Sequence, residues 1–223
     1  VGLAPSAVLT ITAFNWLIAP SVLALLLPRF IDILLFCVSI GISLYLFFFC
    51  GLFVIAIFIR LLSRGLKPGR YPTASLTVLR WMVLNGAFTF AYKQILHIVP
   101  MTFFSSMFYK VVGTNIGKNV WINTNQLIDP YLITIGDNTI IGGEAVLSCH
   151  TYENNFLILG EIRIGTNCLI GAHSYISPGV TIEDDCLVGM HTLIRKNTTL
   201  KQGSNITTIA NVSPRTARRM ENE

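Results

Sequence analysis

The stretch AVLSCHTYENNFLILGEIRIG, residues 145–165, sets His150 three residues before Glu153. An imidazole that is neutral near pH 7 can take a proton from an amine or hydroxyl as a general base. A carboxylate close by orients the ring or stabilises the imidazolium. On residue type and spacing, His150 is therefore expected as general base and Glu153 as its partner. Histidine is scarce, with four in 223 residues, and two others keep a fixed interval: His173 and His191 are 18 apart. If Glu153 to Leu157 form a five-residue insertion, His150 also falls 18 before His173. Tyr152, Asn154, Asn155 and Arg163 flank the pair and are expected, with His173 and His191, to contact substrate; the plain alternatives are polar corner residues and asparagine turns.

These histidines need a scaffold with a strict period, and one is present. From Ile116 the aliphatic residues recur in sixes, as in IGTNCL, IGAHSY, ISPGVT, IEDDCL, VGMHTL and IRKNTT, with first residues Ile164, Ile170, Ile176, Ile182, Val188 and Ile194. Ile158 and Leu200 are read as further unit starts, so the run from 158 to 200 has no slip. The fifth place of each unit holds a small residue: Cys168, Ser174, Val180, Cys186, Thr192, Thr198 and Ser204. Such a hexad, with its aliphatic residue pointing inward and a small residue in the tight place, predicts a parallel β-helix solenoid. Cys168 and Cys186 are then core fillers. The ladder breaks twice, by one residue between the units at Ile128 and Ile135 and by the insertion after LSCHTY. A solenoid extrudes insertions at its corners, where binding faces form.

The first half differs in kind. Apolar residues make up 52% of the chain and charged ones 12%, against about 25% charged in an average soluble domain, and the apolar surplus lies early. Residues 7–27 and 33–59 carry no charge and each reaches the ~20 residues that cross a bilayer, so two spans joined by a short hairpin at Pro28 to Asp32 are predicted. Between Arg60 and Lys110 stand seven Lys or Arg and no acid. By the positive-inside rule this region and the solenoid face the cytoplasm in a multi-pass cell-membrane protein. The basic residues are spread among aromatics, which predicts one or two amphipathic helices lying on an anionic leaflet or packed against the bundle, and argues against nucleic acid as partner. His97, inside an apolar run, reads as a packing or interfacial residue. Three parts follow: a membrane anchor over 1–110, the solenoid over 111–210, and a polar tail over 211–223, whose Arg215, Arg218 and Arg219 suit an acidic carrier, CoA phosphates or a membrane surface. The five cysteines form no CxxC pair or disulfide framework, so a reducing compartment is the simpler setting. No P-loop, GxSxG, HExxH or dinucleotide fingerprint occurs, leaving nucleotide hydrolysis, serine hydrolysis and redox chemistry without support.

The hexads resemble the left-handed β-helix of hexapeptide acyltransferases, in which three units make one 18-residue coil. That resemblance implies that residues 18 apart stack, so His150, His173 and His191 are expected along one edge of about five coils. It also implies a homotrimer with sites between subunits. YKVVGTNIGKNVWINTNQLIDPYLITIGDNTIIG, HTYENNFLILGEIRIG and GAHSYISPGVTIEDDCLVGMHTLI further resemble the membrane-embedded terminal domain of ε-poly-lysine-synthetase-type, nonribosomal-peptide-synthetase-like proteins. In that family, β-helical parts between transmembrane helices join carrier-bound aminoacyl thioesters to amines. The resemblance implies a membrane-anchored acyltransferase using acyl-CoA or a phosphopantetheine-linked carrier thioester, with no tightly bound cofactor and membrane lipid as partner. The chain departs from the pattern in having one such unit and no adenylation or carrier domain. Two readings compete: a non-catalytic tethered scaffold, and a metal site like that of β-helical carbonic anhydrases. The second needs three converging nitrogens at about 2.0–2.1 Å, which residues stacked on one edge do not supply, so no metal ligand is assigned.

Overall fold

Two-residue extended segments separated by tight corners are what the hexads dictate: the aliphatic residue turns inward, its neighbour outward, and the small residue leaves room for the bend. A computed structural model shows this arrangement; it describes residues 22–94, 96, 102–206 and 211–212. The span predicted over 7–27 lies largely outside these residues, as do His97 and most of the tail.

Each turn of the solenoid contributes one strand to each of three parallel five-stranded sheets. In one sheet Ile116, Ile135, Ile164, Ile182 and Leu200 stand in register. The five strands per sheet agree with the expected five coils. The aliphatic column is buried from Ile135 onward, with Ile116 at its end half-buried, and of the small residues only Ser204 is half-exposed. At one corner Asn119, Asn138, Asn167 and Asp185 adopt positive φ, and each amide donates to the next side chain at 3.1–3.3 Å. Asn and Asp tolerate this left-handed conformation best among residues with a Cβ. Gly171 fills a different need: a Cβ there would lie 2.5 Å from the backbone of Gly189 and Met190 in the next coil.

Successive coils are 18 residues apart except where the ladder breaks. Ile135 pairs with Ile164 and Leu147 with Ile176, both 29 apart, so the insertion is eleven residues, not five. It forms a β-hairpin closed by a hydrogen bond from Gly160 N to Cys149 O. Ile158 is thus in the hairpin and half-buried, while Leu157 and Leu159 are the buried ones. We label its strands β2 (His150–Glu153) and β3 (Phe156–Leu159). Asn154 and Asn155 at the tip both have positive φ, as a two-residue type I′ turn requires. An earlier strand, β1 (Gly69–Pro72), pairs antiparallel with β3, and Arg70 lies 3.9 Å over the Phe156 ring.

The helical part separates into two units, residues 1–52 in one and 53–223 in the other with the solenoid. Helix α1 runs Val22–Ser63, through Pro28, Arg29 and Asp32 without the hairpin expected there. A proline inside a helix removes one backbone donor and crowds the carbonyl four residues back; here the flanking apolar residues continue the helix on both sides. The stretch Arg29–Ser63, with hydropathy 2.7, is long and apolar enough to cross a membrane. Helices α2 (Leu76–Gln94) and α3 (Phe103–Val112) follow. The inner side of α2 buries Val78, Trp81, Leu84, Phe88 and Ala91, a spacing that keeps them on one helical face.

Candidate functional site

Asp129 stands at the first break of the ladder. Strand residue Ile128 pairs with Ser148 one coil on, so both breaks open from neighbouring points of the solenoid. Asp129 turns the chain at φ 57 into a short 3-10 segment, Pro130–Leu132, which Thr114 holds by donating its hydroxyl to Pro130 O at 2.8 Å. The carboxylate is thereby carried inward, and the residue is only 3% exposed. Burying a carboxylate is costly unless its oxygens are satisfied, and here they are. Oδ2 lies 2.6 Å from His150 Nδ1, while Oδ1 accepts from Trp81 Nε1 at 2.8 Å and from the Tyr131 hydroxyl at 3.2 Å. Against an ionised carboxylate, which only accepts, Nδ1 is the donor, and a neutral ring in that tautomer has its lone pair on Nε2.

The ring is also held sterically. Trp81 meets it edge-on, with centroids 4.6 Å apart at 67°, and meets Tyr152 in the same way at 5.8 Å. Burial, with the charge of Asp129 beside it, pushes the Tyr131 hydroxyl far above its usual range, so Tyr131 stays a donor. Burial likewise pushes the Cys149 thiol well up, again with Asp129 adding to the effect. Cys149 is a protonated core residue, although it adjoins the histidine.

His150, with 21% of its side chain exposed, opens on a cleft of about 250 Å³ whose walls include Glu153, Tyr175, Ser177, Arg195 and Lys196. The expected pair of His150 with Glu153 is not made. Residues three apart on a strand point to opposite faces; His150 and Tyr152 share the side that meets Trp81. Glu153 instead accepts from Lys196 Nζ with both oxygens, each at 2.5 Å. It shares the cleft with His150 as part of the opposite wall.

The expected row of three imidazoles is also corrected. His173 and His191 do stack, with centroids 4.9 Å apart and rings 5° from parallel. The residue one coil before His173 is Glu144, as the Val146 to Tyr175 pairing and the His173 N to Gly143 O bond show. The six additional inserted residues move His150 out of that column. Asn154 and Asn155 sit at the hairpin tip, where Asn155 O accepts from Thr73 N at 3.1 Å and Thr73 Oγ1 at 2.6 Å. Arg163 is paired with Glu161 at 2.8 Å on another sheet. Of the six expected substrate contacts, Tyr152 alone reaches the surroundings of His150, through Trp81, and none of the six lines the cleft.

Sequence reasoning missed Asp129, Trp81 and Tyr131. A signal for the first existed: the one-residue slip follows Ile128 and opens with Asp-Pro. Trp81 lies outside the repeat, so no counting of hexads points to it.

Residues 161–194 match the family described as hexapeptide repeat of succinyl-transferase. The chain is 27% identical over 158 residues to delta-poly-L-ornithine synthetase of Acinetobacter baumannii, covering 68% of this chain and 11% of the synthetase. It is 41% identical over 86 residues to galactoside O-acetyltransferase of Escherichia coli, covering 34% of this chain and 42% of that enzyme. The structure of a maltose O-acetyltransferase from Clostridium difficile 630 aligns at a TM-score of 0.40 and 13% identity, over 65% of this chain and 88% of that one. The chain thus spans less than half the length of either curated relative it matches here.

Proposed function

Starting from this kinship with hexapeptide-repeat acyltransferases, we propose that the chain transfers an acyl or aminoacyl group from a thioester, CoA or a carrier-bound phosphopantetheine, to an amine or hydroxyl. The observation that carries the reading is the buried Asp129 bonded to His150 at the mouth of a cleft. His150 Nε2 removes the acceptor's proton as the acceptor's nitrogen or oxygen attacks the thioester carbonyl. The carbon–sulfur bond then breaks, and the imidazolium returns the proton to the departing thiolate. Asp129 keeps Nδ1 protonated, so that Nε2 is the basic nitrogen, and stabilises the imidazolium while it exists. Trp81 and Tyr131 fix the carboxylate and are positioning residues. Arg195 and the Lys196–Glu153 ion pair stand on the far wall, where a polar part of donor or acceptor would meet them.

The solenoid on this reading has the left hand of its relatives, assembles as a trimer, and is held at the cytoplasmic face of a membrane by α1. The test is a thioester-consumption assay on the full chain in detergent. His150→Ala abolishes turnover, whereas His191→Ala, off the cleft, leaves it unchanged. Equal activity in the His150 variant and the unmodified protein would remove the catalytic assignment and leave the scaffold reading.

A further inference from the structure

Helix α2 is apolar on both of its faces. Its inner side packs through Trp81 and its neighbours. The outer stripe, Leu76, Leu79, Met82, Val83 and Phe90, recurs at intervals of three or four, is 47–83% exposed, and has Gly86 in its middle. A helix apolar all round belongs in an apolar medium, and a contiguous exposed patch of this kind marks an interaction site. Along the chain the charges flanking it have one sign: Arg60, Arg64, Lys67, Lys93 and Lys110 are exposed, with no Asp or Glu from 60 to 110, while Arg70 is stacked on Phe156. Arg80 is engaged otherwise, donating to the carbonyls of Leu62 and Arg64.

We propose that the outer face of α2 seats on an anionic lipid surface, its apolar stripe sunk to the headgroup boundary and its basic flanks against the phosphates. A second copy of this chain fits the face poorly, because it would bring two wholly basic rims together. The seating has a consequence for the site. Trp81 leaves the opposite side of the same helix and ends 2.8 Å from Asp129 Oδ1, so the surface that α2 rests on lies one helix diameter, about 10 Å, from the histidine pair. The inference concerns position rather than turnover and stands apart from the acyl-transfer reading.

The test uses the full chain in nanodiscs, with Cys37→Ser and Cys50→Ser so that one introduced thiol takes an environment-sensitive dye. Cys149, Cys168 and Cys186 are buried and stay unlabelled. Probes are placed by Met82→Cys on the stripe, Met190→Cys on the solenoid and Phe47→Cys on α1. In discs rich in phosphatidylglycerol, the probe at 82 is quenched by shallow doxyl lipids and loses the iodide quenching that 190 retains. In purely phosphatidylcholine discs much of that protection disappears. Iodide quenching at 82 equal to that at 190 in the anionic discs overturns the proposal. So does protection from iodide without doxyl quenching, which indicates a second copy, and equal protection in both discs overturns the role of charge. The probe at 47 reads the anchor separately, so lipid contact at 47 with exposure at 82 rejects the α2 seating while leaving α1 in the membrane.

Discussion

Replacing Asp129 by Asn removes a charge while keeping shape, and the surrounding donors dictate how the amide must sit. Trp81 Nε1 only donates, and at 2.8 Å it cannot face an NH2 group. The amide oxygen therefore takes the place of Oδ1, and the NH2 faces His150 Nδ1, where Oδ2 lay at 2.6 Å. To accept that hydrogen, Nδ1 must give up its own, and the proton moves to Nε2. The nitrogen that opens on the cleft then has no lone pair for the acceptor. General-base catalysis contributes about 10²–10⁴-fold, so kcat should fall by that order with KM within about twofold, because cleft residues that bind substrate are untouched. The assay follows release of free thiol from the donor under saturating acceptor, with far-UV circular dichroism confirming the fold. A Trp81→Phe change in the same chain sharpens the test. Without the indole donor, and with the Tyr131 hydroxyl rotated to accept from the NH2, the amide can turn over and offer its oxygen to Nδ1–H, so the double variant should be more active than Asp129→Asn alone. An Asp129→Asn enzyme within about threefold of the unmodified one, a loss of under about 1 kcal/mol in barrier, would refute the tautomer argument.

Three further outcomes follow from other parts of the molecule. Gly171→Ala puts a methyl 2.5 Å from the backbone of the next coil; overpacking of this kind costs about 1–3 kcal/mol, a fall of roughly 2–12 °C in Tm by scanning calorimetry, and an unchanged Tm would show that the coils can separate. Burial raises the thiols of Cys149, Cys168 and Cys186, so iodoacetamide at neutral pH should leave all three unmodified in folded protein and label them after denaturation, as mass spectrometry would read. Hydrogen bonds from Gln202 and then Asn167 lower the exposed Asp185 carboxyl below 3.8. A depressed carboxyl contributes stability that is present above its unfolded value and lost as pH falls through the folded one, so Gln202→Ala should raise the Asp185 titration in carbon-detected NMR; a midpoint that stays put would show the bond to be inconsequential.

The solenoid was legible because its rule is local: every sixth residue must be aliphatic, and Ile164 to Ile194 obey without exception. The hairpin escaped because Ile158 imitates a hexad start, so an eleven-residue insert read as five, and the imagined column of histidines followed from that miscount. Pairing of His150 with a nearby carboxylate was anticipated in kind, but Glu153 was nearer in sequence and Asp129, 21 residues back, is nearer in space. That difference comes from register between coils, which spacing alone reveals only after the inserts are sized correctly. Trp81 was out of reach because its contact is set by how α2 packs, and α2, apolar on both sides, gives no periodic sign of which side turns inward.

The strand that precedes α2 changes what counts as the smallest working piece of this molecule. Because β1 pairs along β3, it occupies an edge of the hairpin that would otherwise lie open to pairing with another chain. A polypeptide cut to begin at the first hexad would keep every coil and still lose both the covering strand and the indole that pins Asp129. Such a truncation should therefore self-associate through the bared edge and turn over poorly. The portable unit for grafting or fusion starts at Phe53, with the second compact unit, ahead of the repeat that announces it.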